Sequence, residues 1–159
     1  MIQPILIGSM LALCLTGCGP HPRKASLSTD LSGPSREILE ATTAEIEALA
    51  GGRIIHADVA DFRIKVLFGP LEAGTLGESQ GGLDEDCTIV ISDVMKPSHG
   101  FYNAEDLRHL FIHEIGHCFG LEHSESPSSI MYFEYDRKQN TPEAFRALVK
   151  DLNDSRSAW

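Results

Sequence analysis

Residues 113–123 read His-Glu-Ile-Gly-His-Cys-Phe-Gly-Leu-Glu-His, and this run constrains the fold more than any other part of the chain. His113 and His117 are four apart, so on a helix their imidazoles stand on one face about one turn from each other. At that spacing two ring nitrogens reach a single metal ion at about 2.0–2.1 Å. Glu114 lies beside them, near enough to hydrogen-bond a water there without ligating the metal. Gly120 has no Cβ, so it can take the left-handed conformation that ends the helix and turns the chain back. His123 then approaches the same point from outside the helix. Three neutral histidines leave a zinc ion an open fourth position, where bound water ionises near neutral pH. A bare His-Glu-x-x-His is a moderate signal, whereas five fixed positions in His-Glu-x-x-His-x-x-Gly-x-x-His are far more specific.

The rest of the chain must build a scaffold around that helix. Its 159 residues suffice for one domain, and 42% hydrophobic with 23% charged residues is ordinary globular composition. Asp and Glu outnumber Lys and Arg by 23 to 13, for a net charge of -10. Such a surface repels phosphate backbones, so nucleic acid is not an expected partner. After the N-terminus no apolar stretch is long enough to span a bilayer. Residues 1–17 carry no charged side chain, and the apolar run Ile5 to Leu15 has the length of a secretory signal peptide. The run ends in Leu15-Thr16-Gly17-Cys18, which resembles the lipobox of bacterial lipoproteins, where the cysteine is lipidated and becomes the first mature residue. The resemblance implies an exported protein anchored through Cys18. With Gly19 after the cysteine, it implies the outer membrane, as a surface or periplasm-facing lipoprotein. Ordinary signal cleavage, or a start codon placed wrongly, is the alternative. Residues 18–35 then form the lipidated N-terminus and a flexible tether, because residues 19–35 are rich in Pro, Ser and Gly and lack periodicity. The domain is expected over 36–159, acting as a monomer.

Within the domain the pattern predicts an α+β layout with a mixed, twisted sheet. Arg36 to Ala50 places Ile38, Thr42, Ile46 and Leu49 on one helical face, with Leu39 beside them, stopped by Gly51-Gly52. Arg53 to Ala57 is β-rich. Phe62, Ile64, Val66 and Phe68 alternate with Arg63, Lys65 and Leu67, as in a half-buried strand. Gly74 to Ser79 is a candidate edge strand, and Cys87 to Ser92 another strand. Asn103 caps a helix from Ala104 to about Phe119, with Glu105 and Asp106 in its first turn. Thr141-Pro142-Glu143 opens a C-terminal helix to about Leu152.

The histidine run is that of the metzincin metalloproteases. Ser124 after His123, and Met131 within Ser129-Ile130-Met131-Tyr132, followed by Tyr135, resembles the matrixin subgroup. The resemblance is dense from about 103 to 135. It implies a zinc-dependent endopeptidase that hydrolyses peptide bonds in extended protein or peptide substrates by metal-activated water. His113, His117 and His123 are then the metal ligands and Glu114 the catalytic general base. Met131 is implied in a tight turn beneath the zinc, and the strand near Leu76 pairs with substrate. Residues 131–135 wall the S1′ pocket, with Tyr132, Phe133 and Tyr135 as contact candidates. Where matrixins usually have Pro this chain has Phe133, so a different pocket wall is expected. It also lacks histidines between 69 and 98 for the structural zinc of animal matrixins. Asp84, Glu85 and Asp86 offer carboxylates for calcium, although an acidic loop is more often simply solvated.

His109, one turn before His113, reads as a packed residue, since three ligands complete a catalytic zinc site. Cys87 and Cys118 are the thiols left in the domain. In an oxidising compartment they either form a disulfide from strand to helix or remain two small buried residues. Two other readings stay open: a zinc-containing adaptor lipoprotein that binds a partner without cutting it, and a zinc amidase acting on cell-wall peptides.

Overall fold

A computed structural model describes residues 23–56, 60–82, 85–96, 99–100 and 102–157. The signal peptide, Cys18 and Asp84 therefore lie outside the described residues. Among the described residues four strands and three α-helices follow one another as β1 (Ala25–Thr29), α1 (Gly33–Ala50), β2 (Phe62–Gly69), β3 (Gly77–Gln80), β4 (Cys87–Ser92), α2 (Ala104–Cys118) and α3 (Pro142–Ser157). The sheet order is β1-β2-β4-β3. β1 runs parallel to β2 and β2 parallel to β4, while β3 is antiparallel to β4 at the edge. The fold class is thus the expected α+β one, with a mixed sheet.

Alternation decides which face of the sheet is covered. Phe62, Ile64 and Val66 of β2 are buried while Arg63 and Lys65 are exposed, and on β4 Cys87, Ile89 and Ile91 are buried. These side chains join Leu39 and Ile46 of α1, Phe111, Ile112 and Ile115 of α2, and Phe145 and Leu152 of α3 in one core. Burying each such side chain is worth about 1.5–3 kcal/mol. α2 packs on α1, β3 and β4, so the helix carrying the histidines is braced on several sides. Its start is held by a capping box: Asp106 N–H donates to Asn103 Oδ1 at 3.0 Å, and Asn103 N–H to Asp106 Oδ2 at 2.8 Å.

Three expectations need correction. Residues 25–35 are not tether. β1 occupies 25–29 in register with Phe62–Val66, Ala25 and Leu31 are buried, and α1 begins at Gly33 rather than Arg36. Strand pairing is a backbone property, so Ala-Ser-Leu-Ser-Thr can serve despite its weak pattern. Thr29 adds an Oγ1 hydrogen bond to the Val66 carbonyl at 2.9 Å. Second, residues 53–56 form no strand. Ile54 and Ile55 are adjacent and both buried, which a half-buried strand does not permit. There the Ile54 carbonyl accepts from Ala25 N–H at 2.7 Å, and Glu47 Oε1 from His56 N–H at 2.9 Å. Third, α1 buries the expected Leu39, Thr42 and Ile46 together with Thr43, but Ile38 is only partly buried and Leu49 is 45% exposed, so its inner face is centred further toward Leu39 and Thr43.

Candidate metal centre and cleft

The site begins with how α2 ends. Gly120 is left-handed at φ 81, its N–H bonds to the His117 carbonyl at 2.8 Å, and Leu121 N–H bonds to Gly116 O at 3.0 Å. This is a Schellman turn, with glycine where the positive φ requires it. It reverses the chain so that the Leu121 carbonyl accepts from His117 Nδ1 at 2.7 Å. His113 Nδ1 donates in the same way to the Ile130 carbonyl at 2.7 Å. Both rings therefore carry the proton on Nδ1 and turn the Nε2 lone pair inward.

His117 Nε2 lies 3.1 Å from His113 Nε2 and 3.2 Å from His123 Nε2. Lone pairs facing one another at that range repel unless a cation sits among them. A tetrahedral zinc ion with ligands at about 2.0–2.1 Å holds its nitrogens about 3.3 Å apart, so the donor set fits that ion. Burial, with some repulsion from the neighbouring imidazoles, pushes His113 down to about 4. His117 is also lowered, chiefly by burial. Both are neutral and able to donate at neutral pH. His113 is buried, His117 half-buried and His123 exposed, which leaves the cluster open on one side.

Glu114 is 4% exposed, and burial, together with the nearby Glu78 charge, pushes its carboxyl up to about 7 against a hydrogen bond with Ser79. It fits there because residue 77 is glycine: a Cβ on Gly77 would lie 2.6 Å from Glu114 Oε1. Met131 is buried beneath the helix, where a Cβ on Gly116 would meet its Sδ at 2.6 Å. The loop carrying it is closed by Ser124 N–H to the Met131 carbonyl at 2.8 Å and Tyr132 N–H to the Ser129 carbonyl at 3.1 Å.

A cavity of about 860 Å³ opens over these groups, between residues 74–81 on one side and Tyr132, Phe133, Glu134 and Tyr135 on the other. The edge strand is Gly77–Gln80 rather than 74–79; Leu76 precedes it, lines the cavity, and accepts from Ser92 N–H at 2.8 Å. Phe133 is 62% exposed at the rim, and its ring lies 4.6 Å from that of Tyr132. His109 is buried, with Nδ1 at 2.7 Å from Asn140 Oδ1, and is not among the three clustered histidines. Cys87 and Cys118 form a disulfide between the first residue of β4 and the last of α2. Asp86 is engaged by Arg63 at 2.6 Å.

In the sequence Asp106 stands out only as a first-turn acid, and Gly77, Gly116, Arg137 and Asn140 carry no assigned role. Glycine inside a strand or helix is a sequence signal of close approach. Nothing local marks the partners of Asp106.

A helix bearing two of three convergent histidines, a glycine turn delivering the third, and a methionine under the helix define a metzincin-type fold. Solved structures agree at the level of fold. Archaemetzincin from Methanopyrus kandleri matches with a TM-score of 0.54 at 17% identity, over 89% of this chain and 98% of that one. A chain of the GM1-bound form of the ECX AB5 holotoxin matches with a TM-score of 0.56 at 14% identity, over 85% and 80%. The Matrixin family model matches residues 45–154, and the chain belongs to the matrixin family. A probable matrix metalloproteinase, 095L, of Invertebrate iridescent virus 3 is 48% identical over 40 residues. That alignment takes in 22% of this chain and 11% of the viral protein.

Proposed function

We propose that this protein is a zinc-dependent endopeptidase acting on extended polypeptides. The observation that carries the reading is the convergence of three Nε2 atoms beside a buried carboxylate, within a cleft bounded by a strand edge. His113, His117 and His123 would hold the ion. When bound, zinc supplies a water that ionises near neutral pH and an electrophile for a carbonyl oxygen. Glu114 takes the proton from the attacking water on a carboxylate oxygen and returns it to the departing amide nitrogen. The outer edge of β3 offers backbone groups to an extended chain, which orients the scissile bond across α2. Tyr132, Phe133 and Tyr135 form the opposite wall and receive a side chain. A pure binding role would not need Glu114 kept desolvated beside the histidines.

The test is cleavage of a mixed peptide library by the full chain loaded with zinc, with and without chelator, alongside Glu114→Ala. Cleavage by the parent alone, abolished by chelator, is the expected result, with the variant at full zinc content and turnover down about 10²–10⁴-fold. Equal activity in the variant would refute the proton-transfer role. His123→Ala should lower zinc content, and an unchanged stoichiometry would remove it from the ligand set.

The lipobox-like Leu15 to Cys18 supports export and lipid anchoring through Cys18. Detergent-phase partitioning that is lost in Cys18→Ser would support the anchor, and equal partitioning would exclude it.

A further inference from the structure

Asp106 stands two turns before His113, and its side chain is 0% exposed. A first-turn acid normally lies at the surface, where water and the helix N-terminus share its charge. Here the carboxylate is buried and takes hydrogen bonds from two directions. One is the capping bond from Asn103 N–H at 2.8 Å. The others come from beyond Met131: Arg137 Nε to Oδ1 and Nη2 to Oδ2, both at 2.8 Å, and the Tyr135 hydroxyl to Oδ1. Asn140 extends the network, its amide donating to the Tyr135 oxygen at 3.3 Å while its Oδ1 faces His109 Nδ1. The His109 ring in turn lies 4.8 Å from that of Tyr135.

The segment held in this way is the cleft wall. Between Met131 and α3 the described regular structure is a single bridge at Tyr132 and a 3-10 turn, Arg137–Gln139, which leaves little backbone pairing to fix Phe133 to Tyr135. A bidentate Arg–carboxylate pair is directional as well as strong, and this one reaches from α2, the helix that also carries His113, His117 and Glu114.

We propose that Asp106 is a positioning residue for the substrate side-chain pocket, clamping the wall from Tyr132 to Arg137 onto α2 through Tyr135 and Arg137. The proposal rests on the reading of the cleft as a peptide site. Loosening the clamp leaves the histidines and Glu114 where α2 puts them but lets the wall move. Binding and side-chain discrimination then suffer more than the proton transfers do, because a pocket discriminates only as far as its wall is fixed.

The experiment compares Asp106→Asn and Tyr135→Phe with Asn103→Ala, which removes the Oδ1 acceptor of the capping box and leaves both the Asn103 backbone N–H bond to Asp106 and the clamp in place. The zinc-loaded full chain is assayed on peptides differing only at the residue after the scissile bond, and hydrogen exchange is followed at residues 132–139. Expected for the first two variants are full zinc content and a KM raised about tenfold for bulky side chains. The spread of kcat/KM across the peptides narrows, and exchange quickens at 132–139 but not at 110–118. Asn103→Ala should keep the parental spread. A uniform fall in kcat with the spread intact, or unchanged exchange at 132–139, would overturn the clamp. If the parent cleaves no peptide, the peptidase reading falls by itself and the exchange result decides the clamp. If Asp106→Asn does not fold, Tyr135→Phe decides it.

Discussion

Gly77 measures how little room surrounds Glu114. A methyl group there meets Glu114 Oε1 at 2.6 Å and Leu110 Cδ1 at 2.9 Å, both at the ends of side chains that can swing aside. Gly77→Ala should therefore cost stability only about 1 kcal/mol or less, yet displace the carboxylate from its working position. Turnover falling about tenfold or more with an almost unmoved melting temperature is the expected pair of results; unchanged turnover would mean the carboxylate is not confined by the strand. Residues whose placement follows from spacing along one helix, His113, Glu114 and His117, were legible in the sequence because helical periodicity is local. His123 was legible because Gly120 announces the turn. Asp106 was not, since Tyr135 and Arg137 reach it across separations of 29 and 31 residues that no periodicity links.

Among the elements, β2, β4 and α2 could be read almost to the residue, because alternation and a capped amphipathic pattern each report burial on one side. β1 could not. Ala25–Thr29 is short and mostly small or polar, and only the neighbouring Phe62–Val66 backbone makes it a strand. The disulfide belongs to this scale too, since it ties β4 to the end of α2 that positions His117. Its loop spans 31 residues, for which chain-entropy arguments give a stabilisation of about 3–4 kcal/mol. Replacing both Cys87 and Cys118 by alanine should lower unfolding free energy by about that amount, read from urea melts under oxidising conditions. A change within error would show that core packing alone holds the two elements together.

For the whole molecule, acid is the informative stress. Asp106 is pushed up by burial, but hydrogen bonds from Arg137, Asn103 and Tyr135 outweigh this and hold it below the usual carboxylate range. A carboxyl depressed on folding adds stability that is complete above its unfolded pKa of about 3.9 and is lost as pH falls through its lower folded value. The stability gap between parent and Asp106→Asn should thus be widest at neutral pH and shrink once pH drops below about 4. A gap independent of pH would leave that charge without a role in stability. Metal acts on the same equilibrium by mass action. Zinc at a hundred times its Kd should raise unfolding free energy by about 2.7 kcal/mol, on the order of 10 °C in melting temperature for a domain of this size, and chelator should reverse it. Because β1 absorbs residues that looked like spacer, only residues 19–24 separate Cys18 from the sheet. Six residues span at most about 20–22 Å when fully extended. If Cys18 carries the proposed lipid, so short a connection would hold the cleft in a thin shell above the bilayer, where membrane neighbours would meet it at a high effective concentration while dissolved polypeptides would have to come to it.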